Sequence, residues 1–242
     1  RRVLHYLREE RGLTDASIKA AGYGYNPRWQ VTRWHDPETG KAAYLAPGII
    51  APWYADGTLW ALRVRCRTGG LAAALGIDDD QLGEATSPKY LNLSGSKQSG
   101  ALYNGDHITP GADVLIVEGG FDATLAAQHL DMPVVTFGSA TNYPNGRRLA
   151  QLEQAEHVFL LLDADDAGQQ ATQHLQRALG KDVSLVHLPD LPGVKDVTDF
   201  VVGHNGDLNA LIEQAQQQIE NDRGCFFNFI EQQHGEWALP HF

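Results

Sequence analysis

The sequence predicts an α/β fold, a parallel sheet flanked by helices and preceded by a smaller mixed α+β subdomain. Three observations predict it. From residue 111 short apolar runs (VLIV, PVV, VFLLL, VSLV) alternate with helical segments. These runs lack the polar–apolar alternation of a half-solvated strand, so they read as strands buried on both faces and joined by crossover helices. Before residue 110, aromatic and β-branched stretches are separated by Asp/Pro/Gly turns, the pattern of antiparallel hairpins. The chain has 242 residues, 43% of them hydrophobic, enough for a core without disulfide staples and too apolar for general disorder.

The elements follow in order. Residues 3–22 predict a helix broken at Gly12, with Thr14 as N-cap of a second short helix ending at Gly22. Tyr23 to Arg67 predicts a small antiparallel sheet, with hairpin turns at Asp36–Gly40 and Ala55–Gly57. Residues 68–87 read as an acidic, loop-like insertion, and SPKYLNLSGSKQSG as a polar loop, either mobile or ordered for function. Then come strand ADVLIVEGG, helix FDATLAAQHL, strand PVVTFG, helix NGRRLAQLEQA, strand HVFLLLDAD, helix AGQQATQHLQRALG with Ala171, Leu175 and Leu179 on one face, and strand DVSLVHL. DLNALIEQAQQQIEND is a further helix, and the aromatic stretch from Cys225 has no assigned place. The predicted domains are 1–108, 109–208 and a C-terminal helix and tail over 209–242.

Net charge is −11, but its distribution is uneven. Residues 1–100 carry 13 Lys+Arg against 10 Asp+Glu; residues 101–242 carry 6 against 20. The first part suits phosphates and the second suits cation binding or solvated helices. Only Cys66 and Cys225 are present, which excludes a disulfide framework and a Cys-rich zinc finger within the chain and fits a reducing, cytoplasmic setting. No apolar run approaches a membrane span, and the charged RRVLHYLREERG start has no secretory h-region. A first residue of Arg rather than Met reads as a piece of a longer protein.

In open parallel sheets, ligands bind at the carboxyl ends of strands. Two acidic motifs fall at such ends: Glu118-Gly-Gly-Phe-Asp122 and Asp163-Ala-Asp165-Asp166. Either alone reads equally well as a helix-start acid favoured by the dipole. Together they create a repulsion that hard divalent cations relieve, and Mg²⁺ or Mn²⁺ suits carboxylates plus substrate phosphates. A third cluster, Asp190, Asp196 and Asp199, becomes a candidate wall of a second metal site. Arg63, Arg65 and Arg67 alternate along one strand and share one side, as phosphate contacts or as an exposed edge-strand face.

EGGFDA followed by LDADDAG resembles the Toprim domain of topoisomerases, primases and some nucleases. YLREERGLTDASIKAAGYGYNP, GIIAPWYADGTLWALRVR, SPKYLNLSG, ALYNGDHI and KDVTDFVV resemble, in the same order, segments of the catalytic core of bacterial-type primases. The resemblance spans about residues 3–210. It implies a Toprim parallel sheet with Glu118, Asp163 and Asp165 catalytic. It implies Glu118, Asp122, Asp163, Asp165, Asp196 and Asp199 as metal ligands, although some relatives place the last acid where this chain has Thr198. It also implies Arg63, Arg65, Lys89, Tyr90, Asn92 and Lys97 along the template and nucleotide groove. The implied activity is synthesis of short RNA primers from NTPs on single-stranded DNA with Mg²⁺ or Mn²⁺. The implied partners are the template, NTPs and a replicative helicase or other replication protein, with no membrane. A Toprim nuclease and a non-catalytic single-strand-binding module are the alternatives. The family's usual zinc domain cannot be built from two cysteines, and no GxxxxGK[ST] helicase motif is present.

Overall fold

The computed structural model describes residues 1–77, 88–96, 98–139, 146–162, 166–179 and 183–235. The chain opens with α1 (Arg2–His5), which continues through wider turns over Tyr6–Glu10. Gly12 breaks it at φ +65°. The Thr14 side chain then accepts from Ser17 N at 3.2 Å and caps α2 (Asp15–Ala20), as predicted.

Six strands follow: β1 (Gly24–Asn26), β2 (Gln30–His35), β3 (Ala42–Leu45), β4 (Gly48–Ala55), β5 (Thr58–Cys66) and β6 (Tyr90–Asn92). They do not form one sheet. β1, β4, β5 and β6 form a four-stranded antiparallel sheet in the order β1-β4-β5-β6, while β2 and β3 make a separate two-stranded ribbon. β5 is therefore an interior strand and β6 lies at the edge, so Arg63, Arg65 and Arg67 do not sit on an edge strand. The 68–87 segment departs from its loop reading as well: Gly70–Leu75 is a helix, α3, built from strong helix formers and closed by Gly76 in the left-handed region. Residues 78–87 lie outside the described residues.

The second half alternates as predicted. β7 (Val114–Val117), α4 (Gly120–His129), β8 (Val134–Val135), α5 (Gly146–Leu152), β9 (Val158–Leu161), α6 (Asp166–Leu179) and β10 (Val183–Leu185) give an all-parallel sheet in the order β10-β9-β7-β8. β8 and β10 are shorter than their apolar runs. α7 (Leu208–Gly235) extends well past the helix predicted from its first half.

The β7 side chains show why the strand is apolar throughout. Leu115 and Val117 enter a core shared with Phe121 and Leu125 of α4 and with Tyr6, Ile49 and Trp53 of the first subdomain. Val114 and Ile116 enter a second core with Leu152, Leu175 and Leu179 of α5 and α6. Both faces are dry, so a polar residue on either would lose its hydration. The first core also joins the subdomains.

Polar contacts reinforce that junction. Tyr23 Oη lies 2.7 Å from Thr124 Oγ1, Tyr103 Oη lies 3.0 Å from the same oxygen, and Tyr23 Oη donates to the Gly120 carbonyl at 3.2 Å. Burial pushes both phenols above their ordinary range, which keeps them neutral donors. Thr124→Val is expected to take one hydrogen bond from each phenol while Tyr103 Oη still donates to Tyr23 Oη at 3.2 Å, and to cost about 0.5–1.5 kcal/mol, read as a lower urea midpoint with unchanged slope.

Candidate active site

Glu118 stands directly after β7, and Val117 is paired with Leu161 at the end of β9, so Leu162 is delivered beside it. The loop after β8 is tied to the same point. Thr136 Oγ1 donates to the Glu118 carbonyl at 2.6 Å and accepts from Gly138 N at 2.8 Å. Asp122 lies in the first turn of α4, whose N-cap, Gly119, offers no side-chain cap. A Cβ at Gly119 would fall on Asp122 Oδ2, so glycine there leaves room for the carboxylate.

The acids are brought together from distant parts of the chain. Burial pushes the Asp122 carboxyl above its ordinary value, and the charge of Asp196 pushes it further. Thr198 Oγ1 opposes this by donating to Asp122 Oδ1 at 2.7 Å, and the Arg11 charge opposes it too. Thr198 thus serves an acid of the first motif. Asp196 Oδ1 accepts from Asp199 N at 2.8 Å, and Asp199 Oδ2 from Lys195 N at 3.1 Å, so these two also close their own turn.

The basic side is built on β5 and β6. Arg65 pairs with Tyr90 and Arg63 with Asn92 in the register. The Arg63 guanidinium lies 4.2 Å from the Tyr90 ring centre, and its Nη1 donates to the Gly138 carbonyl at 2.5 Å. This bond ties the first subdomain to the loop held by Glu118. Burial pushes the Arg63 guanidinium below its ordinary value. Burial pushes the Tyr90 phenol up, Arg63 and Arg65 pull it down, and Asp122 pushes it up, so the ring sits within reach of both charge groups.

Arg65 is only 5% exposed. Its guanidinium donates to the carbonyls of Cys66 at 2.6 Å and Thr68 at 3.1 Å. Its hydrogen bonds thus shape the backbone after β5. Lys89 is exposed, with Nζ 6.0 Å from the Tyr90 ring centre. Asn92 is exposed and donates to Gln98 Oε1 at 2.7 Å. Asp163, Asp165 and Lys97 lie outside the described residues. Among the described residues, no group of three or more metal-ligating side chains is assembled.

Three contributors escaped the sequence reading. Arg11, 5.5 Å over the Phe121 ring, is the charge in the RGL turn. Thr136 and Thr198 carried no signal beyond their place after a strand and beside an acid.

Gly138 tests the assembly. It has φ +83°, and a Cβ would fall on Arg63 Nη1. Gly138→Ala is expected to expel Arg63 from its carbonyl and to lower stability by about 1–3 kcal/mol, seen as a drop in melting temperature.

Residues 115–201 match the Toprim-like family model. No curated protein matches the chain in sequence. Among solved structures, the zinc-binding and RNA polymerase domains of the Aquifex aeolicus primase superpose with a TM-score of 0.65 at 20% identity, over 94% of this chain and 60% of that one. A DNA primase domain from Pseudomonas aeruginosa gives 0.64 at 20% identity, over 89% and 72%. The primase fragment of the bacteriophage T7 primase-helicase protein gives 0.53 at 21% identity, over 85% and 71%. The chain therefore spans 60% of the Aquifex fragment it resembles. With residues 115–201 matching the Toprim-like model, the chain has the fold of bacterial and phage primase catalytic cores.

Proposed function

We propose that this chain is a primase catalytic core that joins ribonucleoside triphosphates on single-stranded DNA. The observation that carries the reading is a convergence on the end of β7: Asp122, in the turn after Glu118, accepts from Thr198 Oγ1 at 2.7 Å and so meets the turn that bears Asp196 and Asp199. The donor set fits Mg²⁺ or Mn²⁺: oxygen ligands only, with one carboxyl already pushed up by burial and then by its acidic neighbour. Glu118, Asp122, Asp163, Asp165, Asp196 and Asp199 would hold the ions. When bound, the ions supply Lewis-acid activation of the 3′ hydroxyl and charge neutralisation at the departing pyrophosphate.

The chain's own residues position the reactants. Thr198 orients the Asp122 carboxylate through the 2.7 Å bond to Oδ1. Arg63, 4.2 Å over the Tyr90 ring centre and fixed by Gly138, presents a preorganised cation to phosphate oxygens. Lys89, exposed at the start of β6, adds a mobile charge to the same edge. A replicative helicase and a cytoplasmic setting belong to this reading. Among the described residues no helix is long and apolar enough to cross a membrane.

The test is incorporation of labelled NTPs on single-stranded DNA with Mg²⁺ or Mn²⁺, scoring DNA shortening and bare binding in the same samples. A ladder of short RNA products is expected. Shortened DNA without incorporation points to a Toprim nuclease, and binding alone to a module without turnover; either overturns the primase reading.

A further inference from the structure

Where the opening helices meet β1 and α3 lies a cavity of about 600 Å³ that shares no residue with the acidic site. Its buried lining is aliphatic: Leu7, Ile18 and Leu75 all belong to the first core. Its charged lining is cationic. Arg1, Arg2 and Arg67 line it, and among the described residues no acid does. Tyr25 of β1 lines it too and is 39% exposed.

The arginines are placed but not paired. Arg67 follows β5 and is partly buried, with its Nε buried and without an acceptor. Among the described residues its guanidinium makes no hydrogen bond or ion pair. Arg63 and Arg65, earlier on the same stretch, both donate to backbone carbonyls. A partly buried guanidinium without a partner opposes folding, so it calls for an acceptor from outside the chain. Arg2 is held through Nη1, which donates to the Leu75 carbonyl, and its remaining N–H groups stay available. Gly76 leaves room for that guanidinium, since a Cβ there would come within 2.8 Å of Arg2 Nη1.

We propose that this cavity binds a nucleoside phosphate, its phosphate held by Arg2 and Arg67 and its base laid between Tyr25 and the aliphatic lining. The site stands independently of the primase reading. Two guanidiniums without a counter-ion suit a multiply charged oxyanion. A free phosphate would leave the ring and the aliphatic side chains wet, whereas a base covers them. The volume lies in the range of cavities that enclose small ligands. An acidic peptide would bring unpaired backbone groups onto the aliphatic lining.

The experiment titrates the isotope-labelled chain with AMP in chelator and follows backbone amide shifts by NMR, with adenosine, inorganic phosphate and a short polyglutamate peptide as separate arms. Shifts are expected at Tyr25, Leu75 and Ile77 and not over Gly119–Asp122. Adenosine and phosphate are each expected to bind at least about tenfold more weakly than AMP, because each makes half of the contacts. Arg67→Met is expected to weaken AMP binding about tenfold and to leave adenosine binding unchanged. Tyr25→Ala is expected to weaken AMP binding about tenfold, and Tyr25→Phe to restore it. Spectra without ligand report that each variant is folded. Unchanged AMP affinity in the folded Arg67→Met variant overturns the proposal. So does phosphate binding as tight as AMP, polyglutamate binding tighter than AMP, or a set of shifts confined to Gly119–Asp122. Asp78, Asp79 and Asp80 follow Ile77 in the sequence. AMP binding that appears only when all three are replaced by asparagine assigns the cavity to the chain's own acids and overturns the proposal as well. NTP incorporation by the parent chain decides the primase reading separately from each of these outcomes.

Discussion

Asparagine at position 122 is expected to remove NTP incorporation almost completely while leaving the fold as stable or more stable in chelator. The first half follows from chemistry. The amide keeps the acceptor that Thr198 uses but cannot offer a charge to a cation, and losing a directly engaged electrostatic group costs about 10²–10³ in rate. The second half follows from the sign of the shift. Burial and Asp196 hold the Asp122 carboxyl above its unfolded value. Ionisation at neutral pH therefore works against folding, and the neutral amide relieves that cost. The advantage should shrink as pH falls from the raised folded value towards the ordinary carboxylate range, because the parent carboxyl takes up its proton first in the folded chain. Mg²⁺ or Mn²⁺ should raise the melting temperature of the parent chain more than that of Asp122→Asn. Melting scans at two pH values, with chelator and with ion, decide it. Full incorporation by Asp122→Asn would sink the assignment. Glu118→Gln is expected to lose activity comparably, with the Thr136 bond preserved because that bond uses the backbone carbonyl.

The second large effect belongs to Arg63. Arg63→Met keeps much of the stem and removes the guanidinium. The Gly138 carbonyl loses a charged donor at 2.5 Å and the Tyr90 ring loses its cation at 4.2 Å. Relief of the buried charge offsets part of this loss, because burial already pushes the guanidinium below its ordinary value. A net cost of about 2 kcal/mol is expected, which for a chain of this size lowers the melting temperature by about 4–8 °C. Incorporation should fall by at least about tenfold, because the cation proposed to meet phosphate and the tie between the subdomains go together. Arg63→Lys should recover stability only in part, since an ammonium neither lies flat on a ring nor presents a planar fork. A variant as stable and active as the parent would show that the stack is incidental.

Both predictions use contacts that sequence reading approached from one side. The parallel sheet was legible because VLIV and VFLLL are apolar on both faces, and only burial on both faces calls for that. Glu118 and Asp122 were legible because strand ends in such sheets are where ligands go. The separate ribbon was not. Alternating strands and turns report local conformation, whereas the choice between joining a sheet and standing outside it rests on edge-to-edge hydrogen bonds made far along the chain. The helix over Gly70–Leu75 was missed because a short Ala/Leu run beside glycines and an acidic stretch reads as loop, and its burial against the core decides otherwise. α7 was cut short for a similar reason: the aromatic residues from Cys225 carry no clear helical period, yet the helix continues through them to Gly235.

What the sequence determined by itself is the order of the elements, the two-faced burial of the central strands and the presence of acids at two strand ends. Each is written in neighbouring residues, where propensity and hydrophobic period act over a few positions. The tertiary structure alone decided where the two arginines of β5 turn. β5 places both on one side, but Arg65 turns to the carbonyls of Cys66 and Thr68 while Arg63 reaches Gly138 and Tyr90. It alone joined Asp122 to Asp196 and Thr198, and Tyr23 and Tyr103 to Thr124. These groups lie 74 to 101 residues from their partners in most cases, and side-chain chemistry over such separations is set by which surfaces the cores press together.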